Sequence, residues 1–200
     1  MIGAQFWSRS TVGAGEFDSE AAAEAALLQA GRAGDDRALE QLLALHKRRL
    51  LGLCKGMLGD PDDVEDAVQE TFLRALKALP GFRGEATFRT WLFRIAVNVC
   101  LKWKASRPRT ETWDDEQRPP LGSPASPEML ALRRLRMREA LASLRHRQRA
   151  VLLLRELEGW SVGEIALALG CSKKRIENDL YKARCALADW RRRTEEGGAR

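Results

Sequence analysis

The spacing of apolar residues is the feature that most constrains the fold of this chain. Over two long blocks, leucine, valine, alanine and aromatic residues recur at every third or fourth position, which is the period of an amphipathic α-helix. Between the blocks, residues 106–127 are rich in proline, serine and acidic side chains and follow neither a helical nor a strand period. The sequence therefore predicts two helical units joined by a linker.

The predicted fold class is all-α, with two small helical domains and a flexible linker between them. In the first domain, Asp35 or Asp36 is placed to cap one helix, and the segment GDPDD at residues 59–63 to end it and begin the next. The N-terminus shows no period and is a candidate for a disordered arm. The predicted boundaries are 1–20 for the arm, 21–105 for the first domain, 106–127 for the linker, 128–193 for the second domain and 194–200 for a tail.

The charge balance favours a polyanionic partner. The chain carries a formal net charge of +6, although an evenly solvated basic surface would give the same total. The four cysteines are widely spaced and form no cluster with the two histidines, so we expect reduced, mostly packing thiols, no metal and no cofactor. No apolar run approaches the length of a membrane helix. A cytoplasmic protein without membrane insertion is therefore expected.

The segment SVGEIALALGCSKKRIENDLYKAR, residues 161–184, has the pattern of a helix-turn-helix. Ser161 followed by Glu164 has the form of a capping box at the start of a short helix. Gly170 ends that helix, and Ser172 is placed to cap a second helix whose exposed face is polar. Such a pair of helices suits entry into the major groove of DNA, whereas an ordinary helical hairpin with a solvated charged face is the alternative.

The second helix of this motif carries the candidate side chains for duplex DNA. The residues expected to face DNA are Ser172, Lys173, Lys174, Arg175, Asn178, Lys182 and Arg184. Glu177 and Asp179 lie among them, and a carboxylate near a phosphate weakens binding, although it can accept a hydrogen bond from cytosine. This domain alone is therefore expected to bind DNA poorly and to be held in place by something else.

An acidic surface is predicted in the first domain. The segment DPDDVEDAVQETFLRAL, residues 60–76, places acidic and amide side chains on or near one face of a helix whose other face is apolar. These side chains are Asp62, Glu65, Asp66, Gln69 and Glu70. Such a surface on a DNA-associated protein suits a basic protein partner, whereas a solvated helix face is the simpler explanation of the pattern.

A segment that interleaves cations with aromatic rings follows the acidic helix. In GFRGEATFRTWLFRIAVNVCLKWKASR, residues 81–107, cations can track a nucleic-acid backbone while exposed rings stack on unpaired bases. Phe82 and the FRGEAT loop are expected to be exposed, whereas Trp91, Leu92 and Ile95 are assigned to the core. The segment is therefore a candidate site for single-stranded DNA.

Together these motifs resemble a known family. The stretches DDVEDAVQETFLRAL, FRGEATFRTWLFRIAVNV and LRHRQRAVLLLRELEGWSVGEIALALGCSKKRIENDLYKARCAL are similar to regions two and four of bacterial sigma factors of the extracytoplasmic-function group, in the sigma-70 family. The resemblance covers about residues 35–107 and 128–190. It implies a subunit that binds core RNA polymerase, directs it to specific promoters and helps to melt the minus-ten element.

The resemblance also implies partners and roles. The acidic helix would dock on the clamp of the largest polymerase subunit, and the second domain would read the minus-thirty-five element. The flap of the second-largest subunit is a further implied contact. Asp114, Asp115 and Glu116 of the linker would run towards the active-site and RNA-exit channels. An anti-sigma factor is a further expected partner. The residues expected to contact the minus-ten element, duplex or single-stranded, are Phe82, Arg83, Gly84, Glu85, Phe88, Arg89, Asn98 and Lys102.

The chain departs from the family pattern in the recognition helix. Members often carry Thr-Val-Lys-x-Arg early in that helix, where this chain has Arg175 and Ile176 followed by Glu177 and, two residues later, Asp179. Two expected cations are acids here. The usual minus-thirty-five sequence is therefore in doubt, and Lys173, Lys174, Arg175 and Asn178 are the candidate contacts.

Two other functional classes compete with the sigma factor. An autonomous dimeric helix-turn-helix regulator would bind a palindromic operator without polymerase, but an acidic helix face and a long linker suit docking better than rigid dimer geometry. A DNA-processing enzyme would need a strand-rich catalytic domain with a nucleophile and a positioned base. No alternating strand pattern or glycine-rich phosphate loop occurs, so we do not expect an enzyme.

Overall fold

The computed structural model describes residues 14–106 and 127–197. Within these two stretches the chain forms eight α-helices, one short 3-10 turn and no strand, which confirms the all-α prediction. The predicted linker lies outside the described residues, except at its two ends. The helices are α1 (Ala14–Arg32), α2 (Asp36–Met57), α3 (Pro61–Ala78), α4 (Phe88–Ser106), α5 (Pro127–Ala142), α6 (His146–Glu156), α7 (Val162–Ala168) and α8 (Lys173–Gly197).

Helix α1 begins earlier than the sequence predicted. It starts at Ala14, so residues 14–20, which we placed in the arm, are helical. The missed residues, AGEFDSE, form no apolar period, so no amphipathic stripe marked this first part of the helix. Helix α1 packs on α2, where Leu27 and Leu28 lie against the core.

Aspartates cap the next two helices of the first domain, as the sequence predicted. The Asp35 carboxylate accepts a hydrogen bond from the Ala38 amide at 3.1 Å and starts α2. The Asp60 carboxylate accepts from the Asp62 amide at 3.0 Å and starts α3, with proline at the first helical position. These caps fix the ends of two helices that pack on each other and on α4.

Two cysteines lie side by side in the core of the first domain. The Cys100 thiol, on α4, donates to the Cys54 Sγ, on α2, at 3.8 Å. This hydrogen bond and burial raise the pKa of Cys100 above its ordinary value, so the group is a neutral thiol. The expected packing role is confirmed for this pair, while Cys171 is half-buried and Cys185 is exposed.

The second domain contains the predicted helix-turn-helix. Ser161 Oγ accepts from the Glu164 amide at 3.2 Å, and Glu164 Oε2 accepts from the Ser161 amide at 2.7 Å, which completes the capping box at α7. Gly170 adopts a φ of 58° in the turn, a conformation that side chains with a Cβ rarely adopt. Ser172 Oγ then accepts from the Arg175 amide at 3.3 Å and caps α8.

The two domains pack against each other, an arrangement that the sequence left open. Helix α6 contacts α2 and α4, and α7 contacts α4. The rings of Phe93, in α4, and Trp160, before α7, have centroids 6.1 Å apart. Buried residues from both domains form one continuous core. In the described ranges, no helix is both long enough and apolar enough to cross a membrane.

Candidate functional site

The aromatic residues predicted to contact minus-ten DNA are buried, so the prediction of an exposed Phe82 was wrong. Phe82 and Phe88 retain only 6% and 3% of their accessible surface. Their rings pack edge to face with centroids 6.0 Å apart, and Phe82 also lies 5.1 Å from the ring of Trp91. Burial of these large apolar rings fixes the loop that enters α4, so they position the site without presenting a face to DNA.

The polar residues around this aromatic cluster remain at the surface. Arg83, Gly84 and Glu85 form an exposed loop between the 3-10 turn and α4. Along α4, Asn98 and Lys102 are exposed and lie on one side of the helix because they are four residues apart. Arg94, one of the cations of the segment predicted to bind single-stranded DNA, continues this stripe by one turn and is exposed.

Arg89, another residue predicted to contact DNA, is already engaged within the chain. Its Nη2 donates to Oε2 of Glu158 at 2.7 Å and to the Glu158 carbonyl oxygen at 2.8 Å. The Glu158 side chain, from the turn between α6 and α7, is only 5% exposed. The prediction that Arg89 is available to DNA does not hold in this arrangement of the domains.

The acidic face of α3 is at the surface, as the sequence pattern required. Asp62, Glu65, Asp66 and Gln69 are exposed. Glu70 is half-buried, and its carboxylate accepts from the Arg74 guanidinium at 2.8 Å, which neutralises part of the charge at that end. Two apolar side chains, Leu73 and Leu76, are also exposed on this helix. The surface therefore combines carboxylates with an apolar end.

The cations of α8 are exposed as predicted. Every candidate for upstream DNA is at the surface, including Ser172, Lys173, Lys174, Arg175, Asn178, Lys182 and Arg184. The charge of Arg184 is partly neutralised, because its Nη2 lies 3.7 Å from a carboxylate oxygen of Glu156. Tyr181 is 68% exposed on the same helix, three residues after Asn178, and was missed by sequence reasoning. A hydrogen bond with Cys185 raises the pKa of Tyr181.

One of the two acids at the start of α8 is paired within the chain. Asp179 Oδ2 accepts from Nε of Arg147, in α6, at 2.9 Å, and the Asp179 side chain is mostly buried. Nη2 of the same guanidinium lies 3.0 Å from the Cys171 sulfur in the turn. Asp179 therefore anchors α8 to α6, whereas Glu177 is exposed. The expectation that both carboxylates face phosphates was wrong for Asp179.

Comparisons with known protein families follow the division into two domains. The sigma-70 region 2 family matches residues 42–110, and the sigma-70 region 4 family matches residues 134–187. The region 2 match contains the acidic face of α3 and the polar stripe of α4. The region 4 match contains the helix-turn-helix.

Curated relatives and solved structures agree with these matches. The ECF RNA polymerase sigma factor SigG of Mycobacterium tuberculosis is 38% identical over 168 residues, which cover 71% of this chain and 45% of that relative, so the chain spans about half its length. The ECF RNA polymerase sigma-E factor of Escherichia coli K12 is 31% identical over 84% of this chain and 94% of its own. The structure of CnrH in complex with the cytosolic domain of CnrY matches with a TM-score of 0.65 and 29% identity, covering 84% of this chain and 96% of that one. The structure of RpoE with the anti-sigma factor NepR from Bartonella quintana matches in fold, with a TM-score of 0.62 and 22% identity over 76% of this chain and 96% of that one.

Proposed function

This chain belongs to the extracytoplasmic-function RNA polymerase sigma factors, and on that premise we propose that it directs core RNA polymerase to specific promoters. It binds the core enzyme, recognises promoter DNA with both domains and helps to melt the minus-ten element. The observation that carries the proposal is the presence in one chain of an exposed acidic face on α3 and an exposed basic helix α8, each in its own sigma-family domain. It acts as a cytoplasmic binding subunit and not as an enzyme.

The acidic face of α3 is the docking surface for polymerase. Asp62, Glu65, Asp66 and Gln69 can accept or exchange hydrogen bonds with a basic helical partner, the clamp of the largest subunit. Leu73 and Leu76 add exposed apolar area next to these groups, and apolar contact supplies affinity while charge supplies orientation. Glu70 contributes less free charge because Arg74 already holds it.

Helix α8 recognises the minus-thirty-five element. Its first turn presents Lys173, Lys174 and Arg175 from a capped helix N-terminus, where backbone amides also favour phosphate. Asn178 lies one turn later and can read a base edge. Exposed Glu177 reduces the attraction to phosphates, so the domain needs the effective concentration that docking on polymerase supplies. The flap of the second-largest subunit is the proposed second anchor.

The minus-ten strand contacts the polar stripe of α4 and the loop before it. Arg94, Asn98 and Lys102 are spaced along one exposed side of α4 and can follow a nucleic-acid backbone. Arg83 extends this cationic surface into the loop. The buried rings of Phe82 and Phe88 hold the loop in place and do not stack on DNA bases. The proposed further partner is an anti-sigma factor.

The test is transcription with core polymerase and a genomic promoter library. Discrete RNA start sites that core alone does not give are expected with the full chain. Replacing Asp66 and Gln69 with alanine should abolish these starts and weaken core binding, whereas Glu40→Ala, an exposed acid on α2, serves as the control and should leave both unchanged. Sequence-specific DNA binding by a dimer without any affinity for core would instead identify the autonomous regulator.

A further inference from the structure

His46 is a buried polar residue to which the proposed function assigns no role. It lies on α2 and retains 4% of its accessible surface. Its Nε2 lies 3.0 Å from Oε2 of Glu24, on α1, and makes no aligned hydrogen bond within the described residues. A buried nitrogen without a polar neighbour costs free energy, so the Glu24 carboxylate favours the ring orientation that turns Nε2 towards α1.

The same imidazole contacts the aromatic cluster that holds the minus-ten loop. Its ring centroid lies 5.6 Å from that of Phe88, with the two ring planes inclined by 45°. This separation is within the range of attractive ring contacts. The Phe88 ring in turn lies 5.5 Å from the ring of Trp91 and meets the ring of Phe82 edge to face. His46 is therefore a fourth ring in this cluster.

Two rings of the cluster bracket the loop of residues 83–87. Phe82 directly precedes the loop, and Phe88 directly follows it as the first residue of α4. Because a protein interior is close-packed, a displaced ring pushes on the rings against it and does not move into empty space. A shift of the imidazole therefore moves Phe88 and, with it, the end of the loop where α4 begins.

The contact between Glu24 and His46 joins α1 to this loop. The Glu24 side chain is 22% exposed, so the carboxylate lies at the edge of the core. Glu24 also precedes residues 42–110, the part of the chain that matches the sigma-70 region 2 family. The contact thus connects a helix outside that match with a ring cluster inside it.

We propose that His46 is a positioning residue for melting of the minus-ten element: Glu24 orients the imidazole, and the imidazole holds Phe88 and the loop of residues 83–87 in place to engage the strand. The proposal rests on the proposed sigma function. His46 acts through Phe88, since it is itself buried away from DNA. Promoter melting should therefore follow the presence of an aromatic ring at position 46.

The test compares His46→Gln with His46→Phe in promoter opening by the full chain with core polymerase. Glutamine keeps a polar group for Glu24 but removes the ring, whereas phenylalanine keeps the ring and removes Nε2. Permanganate reactivity of thymines in the minus-ten element, which reports unpaired bases, should fall about threefold to tenfold for His46→Gln. For His46→Phe it should stay within about twofold of wild type.

Binding to core polymerase separates this role from a merely structural one. Both variants should keep the affinity of wild type for core, because the acidic face of α3 is unchanged. A residue that only satisfies a buried polar contact would give the reverse order, with His46→Gln tolerated and His46→Phe impaired in opening. That reverse order would overturn the proposal.

Glu24→Ala tests the contribution of α1 and decides the question if His46→Gln fails to fold. It should lower the permanganate reactivity about threefold in the wild-type background. In the His46→Phe background it should have no further effect, because a phenylalanine ring needs no carboxylate to orient it. Glu40→Ala removes the same charge from an exposed position on α2 and is the control. Equal reactivity for Glu24→Ala and Glu40→Ala would overturn the proposal.

Failure of the sigma function gives a different result from failure of the positioning role. If wild type with core polymerase opens no promoter, the sigma function is wrong, and the positioning role is wrong with it. If wild type, His46→Gln and Glu24→Ala all open the minus-ten element equally well, the sigma function stands and the positioning role of His46 is wrong.

Discussion

The two candidate DNA surfaces of this protein differ in how their side chains are used. On α8, Lys173, Lys174 and Arg175 are exposed, and the helix is held from behind by the ion pair between Asp179 and Arg147. In the minus-ten segment, the rings are buried and one arginine is engaged by the other domain. The comparison teaches that a helix anchored on one face presents a predictable opposite face, whereas an aromatic loop can pack its rings inward or outward.

The largest expected effect comes from Phe82. Replacing this buried ring with alanine should lower the free energy of unfolding by about 3 kcal/mol, because it removes apolar contacts with Phe88 and Trp91 and leaves a cavity. Chemical denaturation with urea measures the loss. Tyr181→Ala is the matched exposed aromatic and should change stability by less than about 0.5 kcal/mol. Equal effects for the two would mean that Phe82 is a surface ring after all.

The anchor behind α8 should give an intermediate effect. Arg147→Ala is expected to cost about 1–2 kcal/mol of unfolding free energy, since the guanidinium bonds both Asp179 and the Cys171 sulfur. A double-mutant cycle with Asp179→Ala should give a coupling energy near 1 kcal/mol. Glu177→Ala, two residues before Asp179, is the control and should leave stability unchanged while strengthening DNA binding. Zero coupling between Arg147 and Asp179 would contradict the anchor.

The capping box of α7 should give a smaller, pH-dependent effect. Ser161→Ala is expected to destabilise the protein by about 1 kcal/mol at pH 7, because the Ser161 hydroxyl caps α7. The hydrogen bonds with Ser161 hold the pKa of Glu164 below its ordinary value of 4.5. Ionised Glu164 therefore stabilises the fold above pH 4.5, and this contribution is lost as pH falls through the lower pKa of the folded state.

The titration is checked by comparing wild type with Glu164→Gln. The stability difference between them should be constant near neutral pH and should narrow below pH 4.5, as measured by thermal unfolding across the acid range. Glu40→Gln, at an exposed position within α2, controls for the loss of one surface charge. A difference that stays constant down to pH 3 would show that the carboxylate charge does not contribute.

The smallest effect on stability is expected for the exposed cations of α8. Lys174→Ala should change the free energy of unfolding by less than about 0.5 kcal/mol, because the side chain contacts solvent. Its effect should appear in DNA binding. For a mixed-sequence duplex, the slope of the logarithm of the binding constant against the logarithm of the salt concentration should fall in magnitude by about 1. Lys47→Ala, an exposed lysine on α2, is the control. An unchanged slope for Lys174→Ala would remove this residue from the interface.

Local signals in the sequence were sufficient for most of the fold. Asp35, Asp60 and Ser161 cap helices. Each has a short polar side chain just before an apolar period, and it accepts a hydrogen bond from a free backbone amide of the first helical turn. The packing of one domain on the other could not be predicted from the sequence, because it depends on contacts between residues about seventy to ninety positions apart. Examples are Arg89 with Glu158 and Arg149 with Met57. The start of α1 was missed because residues 14–20 form no amphipathic stripe.

The candidate site was predicted best where helical period alone decides exposure. The acidic face of α3 and the cations of α8 follow from spacing. The role of Asp179 could not be predicted, because its partner Arg147 is distant in sequence and only the crossing of α6 and α8 brings them together. Phe82 was assigned wrongly, since a ring beside arginines has the same sequence pattern whether it stacks on bases or on Phe88.

Helix α8 extends unbroken from Lys173 to Gly197, and along its length it packs against α5, α6 and α7. Its 25 residues make a rod about 37 Å long. If a helix of that length tilts by about 5° about one end, its other end moves by about 3 Å, which is close to the rise of one base pair. Under the proposed function, a small adjustment where α8 packs on α5 therefore shifts Lys173, Lys174 and Arg175 by about one base-pair step along bound DNA.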